Sequence, residues 1–183
     1  MTQIDSSTYQ VDMGHGDILS DGSMPLFTDT WISWTSAALN DTHADEDTLF
    51  IVGWSRALIE IPIDGPGALP HPAGARLVGA AIDFQVATNN SSAPTIAIHE
   101  TLKDWDEQAT GRTYDGSTNW SSLGGYGLLD RSDWVDISFE PASSSRMNMD
   151  ITEIVQAAIA RGDDSVGLML SVEQFSTDQI VLA

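Results

Sequence analysis

The sequence predicts an all-β protein: a two-sheet jelly-roll β-sandwich with one short α-helix near the C-terminus and an N-terminal arm. Three observations predict it. Short apolar stretches with period-two alternation recur along the chain. Gly- and Pro-containing turns separate them, the punctuation of a sandwich or barrel. A helical repeat occurs at one place, residues 149–161. The length of 183 residues and the hydrophobic content of 42% suit one core-forming domain plus an arm, divided here into 1–28 and 29–183.

The elements follow in order. Residues 1–28 are polar, and their apolar side chains show no period; a docking arm and a disordered tail are both open readings. Residues 29–36, DTWISWTS, alternate and form the first strand. After a polar loop at 40–48, residues 49–54 and 56–63 read as two strands split near Gly53. In the second, Ala57, Ile59 and Ile61 alternate with Leu58, Glu60 and Pro62, and Pro62 marks the strand's end or a sheet edge. A Pro/Gly turn region at 64–75 leads to strands at 76–87, 94–102 and 133–140.

Residues 149–161 are the helix. Ile151, Ile154, Val155, Ala158 and Ile159 fall at helical spacing, Asp150 or Thr152 can cap the start, and Gly162 stops it. SVGLMLSV at 165–172 reads as a buried strand, and 177–183 begins another. Either residues 179–183 serve as the final strand or the sandwich is one strand short. In the second case a neighbouring subunit, through its residues 1–28, would complete the open edge.

Residues 104–130, DWDEQATGRTYDGSTNWSSLGGYGLLD, have neither period and read as a long ordered loop. A polar loop of this length inside a compact domain needs a function or its own pins. Trp105, Trp120, Tyr114 and Tyr126 can drop into a core, while the glycines supply tight backbone.

The order W-x-E, T-G, N-W-x-x-x-G-G and then an Asp in this loop resembles the DNRLRE-type domain. Three further segments resemble the same family: SRALIEIPID at 55–64, GARLVGAAIDFQV at 74–86 and MDITEIVQAAIARGDDSVGLMLS at 149–171. The ordered set spans roughly residues 29–183. The family is a jelly roll of secreted carbohydrate-binding modules and of structural proteins of tailed viruses. The resemblance implies that Trp105 and Trp120 plug the loop into the sandwich, and that structural calcium is in keeping with the fold.

The chain has a formal net charge of −20 with a single lysine, Lys103, and Asp outnumbers Glu. Such a chain repels nucleic-acid phosphates and anionic membranes; its composition suits a salty habitat or calcium binding. Cysteine is absent, which removes disulfides, thiolate metal sites and a cysteine nucleophile. The start of the chain lacks the basic and apolar segments of a signal peptide, and no run is long enough to span a membrane. His15, His43, His71 and His99 share no ligand spacing, and G-x-S-x-G, Walker and G-x-G-x-x-G motifs are absent, so no enzyme activity is expected.

Two acidic groups are candidate calcium ligands, because calcium takes six to eight oxygens: Asp41, Asp45 and Asp47 in one loop, and Asp104, Asp106 and Glu107 in another. Tyr114, Trp120 and Tyr126 are the candidate glycan platform. The expected function is a non-enzymatic structural protein of a tailed bacterial or archaeal virus: a capsid decoration, turret, tail or fibre component. It would sit in the virion as a homo-oligomer, with a trimer as the first expectation, against other virion proteins and a host surface polysaccharide. The alternative is an extracellular carbohydrate-binding module. Calcium is the one cofactor considered.

Overall fold

The computed structural model describes residues 2–5, 8–10, 28–33, 35–43, 49–52, 55–63, 77–89, 95–132, 135–138, 146–172 and 179–182. Its strands are antiparallel throughout, and one short α-helix accompanies them. Strands β1 (Thr2–Asp5) and β2 (Thr8–Gln10) form a separate two-stranded sheet. They lie within the segment 1–28, of which residues 1, 6, 7 and 11–27 fall outside the described residues.

The remaining strands are β3 (Thr28–Ser33), β4 (Leu49–Val52), β5 (Ser55–Pro62), β6 (Ala81–Asn89), β7 (Thr95–Glu100), β8 (Val135–Ser138), β9 (Arg146–Asp150), β10 (Ser165–Val172) and β11 (Gln179–Leu182). They fall into two runs. One is β8-β7-β10-β5, with β3 also paired to β5, and the other is β4-β11-β6-β9. The single backbone pair Val52–Ser55 joins them.

Period-two alternation decides which face each residue serves. On β5, Ala57, Ile59 and Ile61 point to one side, and so do Leu168 and Leu170 on β10, opposite Ile59 and Ala57 in register. They meet Leu49 and Ile51 of β4, Ile82 of β6 and Met149 of β9 in one apolar cluster. Residues of both runs therefore contribute to one core cluster. The intervening positions, Arg56, Leu58 and Met169, are also buried, which means the outer face of the first run is covered as well.

Helix α1 (Thr152–Arg161) packs Ile154, Val155 and Ala158 into the main core, while Ile159 stays 44% exposed. Gly162 ends it in the left-handed conformation, φ +80°, with its N–H turned back to the helix carbonyls. The start differs from expectation. Ile151 holds the cap position without a side-chain bond. Asp150 accepts the Thr152 N–H at 2.8 Å from one residue earlier, and the bonds from Thr152 hold its carboxyl below the usual carboxylate range. Thr152 instead ties the helix to Ala80, accepting its N–H at 2.9 Å.

Two expectations need correction, and two others are met as far as the described residues go. Residues 149 and 150 belong to β9, which pairs with β6 from Ala81–Asp150 to Gln85–Arg146; the sequence reading had no strand there. β6 begins at Ala81 rather than 76, because residues 77–80 are held by the helix: Gln156 Nε2 donates to Leu77 O at 3.0 Å. The strand expected over 49–54 is described over Leu49–Val52, and Gly53 lies outside the described residues. Last, β11 lies between β4 and β6 and pairs with both. The final strand is supplied by the chain itself, so that slot needs no neighbour's arm.

Candidate functional site

The outer face of the first run gives the starting material. In register across β7, β10, β5 and β3, one row reads His99, Met169, Leu58, Thr30. All four are buried. What buries them is the segment 101–132, which folds over this face without a strand of its own: it holds two isolated bridges and one 3-10 turn, Leu123–Gly125. The aperiodic loop read from the sequence is thus an ordered cover.

Its apolar pins are Trp105 and Trp120, each 4% exposed, which meet Ile32, Leu58, Met169 and Ala109 in a second core cluster. Tyr114 packs edge-on to Trp120, with ring centroids 5.7 Å apart. The Trp120 indole N–H donates to Thr110 O at 2.8 Å, so its polar end is also satisfied. Gly125 must stand at φ +66°, and a Cβ there would come within 2.8 Å of Met169 Cε and 3.1 Å of the Trp120 ring.

Polar pins complete the cover. Leu102 N donates to Asp130 O at 2.7 Å and Ser132 N to Glu100 O at 2.9 Å, closing the base of the segment. The Asp130 carboxylate is wholly buried and accepts from Ser121 N, Ser121 Oγ, Ser122 N and Gly127 N at 2.7–3.2 Å. Buried Arg56, on β5, donates to Gly124 O. Its guanidinium carbon is 4.8 Å from the centre of the Tyr126 ring, and that of Arg131 is 4.4 Å away. Arg131 Nη1 also lies against the ring nitrogens of His99, and His99 Nδ1 is 3.1 Å from Ser132 O.

Above this frame, residues 116–129 carry no charged side chain in a chain of net charge −20. The tip they form exposes Leu123 at 53%, Tyr126 at 50%, Leu128 at 79% and Leu129 at 71%.

The structure places the sequence candidates as follows. Of the glycan platform, Trp120 has its ring in the core, Tyr126 lies under two guanidiniums, and Tyr114 is half-buried with Lys103 Nζ 5.7 Å from its ring centre. The three do not form an open aromatic floor. Of the first acidic group, Asp41 is exposed, while Asp45 and Asp47 lie outside the described residues. Of the second, Asp104, Asp106 and Glu107 are exposed, and Asp106 caps its own turn by accepting Gln108 N at 2.8 Å. Among the described residues no three carboxylate or imidazole groups converge to hold a metal ion.

Sequence reasoning missed Arg56, His99, Asp130 and Arg131 as a unit. The one available signal was a charged residue sharing the outer-facing alternation of an apolar strand with Leu58, Arg56 in SRALIEIP. Among the described residues no helix is long and apolar enough to cross a membrane. No protein-family model matches this chain, and no curated protein sequence matches it.

Proposed function

We propose that the protein is a non-enzymatic structural component of a tailed bacterial or archaeal virus, built as a jelly-roll sandwich, that assembles with copies of itself through the 123–129 tip. The observation that carries the reading is the tip: Leu128 and Leu129, 79% and 71% exposed, on a segment fixed from below by buried Asp130, Arg56 and Arg131. A surface that were merely tolerated would not need such a frame. Two molecules of net charge −20 repel wherever their acidic surfaces meet. The uncharged 116–129 segment is where they can approach at least cost, and it joins apolar area to apolar area.

The reading as a carbohydrate-binding module has less support, because the Trp120 ring is in the core with Tyr114 packed against it, and of the three rings Tyr126 alone is largely open. The ordered segments that resemble the DNRLRE-type domain fit both readings and support the sandwich.

The deciding experiment is the solution mass by light scattering, in low and in molar salt, for the full chain and for a Leu128→Ser, Leu129→Ser double variant. The proposal expects a trimer or another closed oligomer, favoured by salt because screening removes the repulsion, and a monomer for the variant. A monomeric full chain in molar salt would overturn it.

A further inference from the structure

Asparagine is scarce in this chain, and its placement is uneven. There are five, Asn40, Asn89, Asn90, Asn119 and Asn148. Four of them stand two positions before a Ser or Thr: Asn40 before Thr42, Asn89 before Ser91, Asn90 before Ser92 and Asn119 before Ser121. Ser and Thr together make up 35 of the 183 residues, so chance would put about one of the five Asn in that setting. None of the four has Pro as its middle residue. N-x-Ser/Thr with a middle residue other than Pro is the acceptor pattern for attaching a sugar to the Asn side chain.

The fold separates the four. Asn119 is exposed, but Trp120 next to it is 4% exposed, and Ser121 gives both its N–H and its hydroxyl to the buried Asp130 carboxylate. An enzyme that holds the three residues in its own groove would have to draw Trp120 out of the core. Asn89 is the last residue of β6, in register with Ile180 of β11, and residues 90–92 lie outside the described residues. The first setting has no such restraint. Asn40, Asp41 and Thr42 are all exposed and leave the turn in which Asp41 N donates to Ala38 O at 3.2 Å. They belong to no strand or helix, so an enzyme can take hold of them without opening a sheet.

The Asn40 side chain is held in a way that suits the reaction. Arg112 Nε donates to Asn40 Oδ1 at 3.1 Å. That bond uses the amide oxygen and leaves the nitrogen, the atom that reacts. The oxygen remains an acceptor after the nitrogen is substituted, so the contact with Arg112 is compatible with the modified side chain.

We propose that Asn40 is a site of N-linked glycosylation, with Thr42 as the hydroxyl residue that the transferase reads. The donor is a sugar activated as a phosphate ester at its anomeric carbon. Asn40 Nδ2 forms a bond to that carbon, the bond from the carbon to the phosphate oxygen breaks, the phosphate leaves with the electron pair, and Nδ2 gives up one proton. No oxidant or reductant takes part. The sugar is attached to the chain rather than bound by it, and the proposal stands whether or not the 123–129 tip associates.

The test is peptide mass mapping of the full chain recovered from the cells or particles that make it, with electron-transfer fragmentation to place any added mass on one residue. The same chain made in a host without N-glycosylation is the unmodified reference. The proposal expects an added mass of one or more sugar units on Asn40 and none on Asn119. Thr42→Ala, made in the natural source, should abolish the added mass although Asn40 is intact, and Thr42→Ser should retain it. An Asn40 recovered wholly unmodified overturns the proposal, and so does an added mass that survives Thr42→Ala. Sugar on Asn119 as well would mean that attachment precedes folding, and would overturn the selection of Asn40 by the fold.

Discussion

Asp130 holds Ser121 at two points: one carboxylate oxygen accepts the Ser121 N–H at 2.8 Å and the other its hydroxyl at 2.7 Å. The same carboxylate takes Ser122 N and Gly127 N, so one wholly buried side chain closes the turn that presents Tyr126, Leu128 and Leu129. Asp130→Asn keeps the shape but turns one oxygen into an N–H₂ that faces donors. Buried donors left unpaired cost about 1–3 kcal/mol, more where a charge was involved. The expected loss is about 2–4 kcal/mol, read as a lower urea midpoint at unchanged slope. Limited proteolysis should cut the variant within 121–129 before the sheets unfold; if its cleavage pattern matches that of the parent, the turn does not depend on this carboxylate.

Gly125 faces Met169 and Trp120 across a gap with no room for a methyl group. Gly125→Ala combines a left-handed backbone with overpacking, for an expected cost of about 2–4 kcal/mol. Met169→Ala in the same background should recover part of it by vacating the contact, because the two sites share one cavity. Thermal melts of the single and double variants measure this coupling, and strict additivity would show that backbone strain alone sets the cost.

How far the sequence revealed the molecule depends on the range of the signal. Alternation on β5, the buried strand at β10, the Gly162 stop of α1 and the Trp105 and Trp120 pins of the loop are local patterns and occur where the sequence reading set them. Tyr126, read as a fourth pin, stays 50% exposed. The reading did not reveal that residues 101–132 cover the outer face of the β3-β5-β10-β7 run. Leu58 and Met169 look like ordinary strand residues, and the residues of the cover that pack on them start at Trp105, 47 positions from Leu58 in sequence. β9 was also hidden, because RMNMD carries the apolar alternation of a strand in only two positions, Met147 and Met149, directly before a stronger helical repeat. The buried polar group of Arg56, His99, Asp130 and Arg131 had no motif to betray it. Its members come from β5, β7 and the loop, and only the fold assembles them.

Arg56 shows why the identity of a buried cation matters. It reaches Gly124 O and lies 4.8 Å from the Tyr126 ring centre at once, which a planar guanidinium can do and a compact ammonium cannot. Arg56→Lys keeps the charge but leaves one of these contacts unmade. The expected destabilisation is about 1–3 kcal/mol. The more specific readout is Tyr126, whose ring resonances should shift toward free tyrosine in the variant. Unchanged Tyr126 shifts would mean that Arg131 alone holds the ring.

Asp115 gives a pH signature that belongs to the cover. Its carboxylate accepts from Thr118 N, Ser117 N and the Thr118 and Ser117 hydroxyls, with the Thr118 backbone bond the strongest influence. These bonds favour the charged form, and the pKa falls from 3.8 to about 2. A carboxyl with a depressed folded-state pKa contributes fully above its unfolded value, and the contribution is lost as pH falls through the folded value. The 115–118 turn should therefore hold at neutral pH and at pH 4, weaken below the ordinary pKa of 3.8 and release near pH 2. The group sits at the surface, so the consequence is local rather than a change in global stability. The Asp115 carboxyl carbon and the Thr118 amide proton should titrate together with a midpoint near 2, provided the chain is still folded there. In Thr118→Val, which loses the hydroxyl and keeps the backbone N–H, the midpoint should rise only part of the way to 3.8, because the leading cause is the backbone bond. A full return to 3.8 would reverse that ranking and make the hydroxyl the principal anchor.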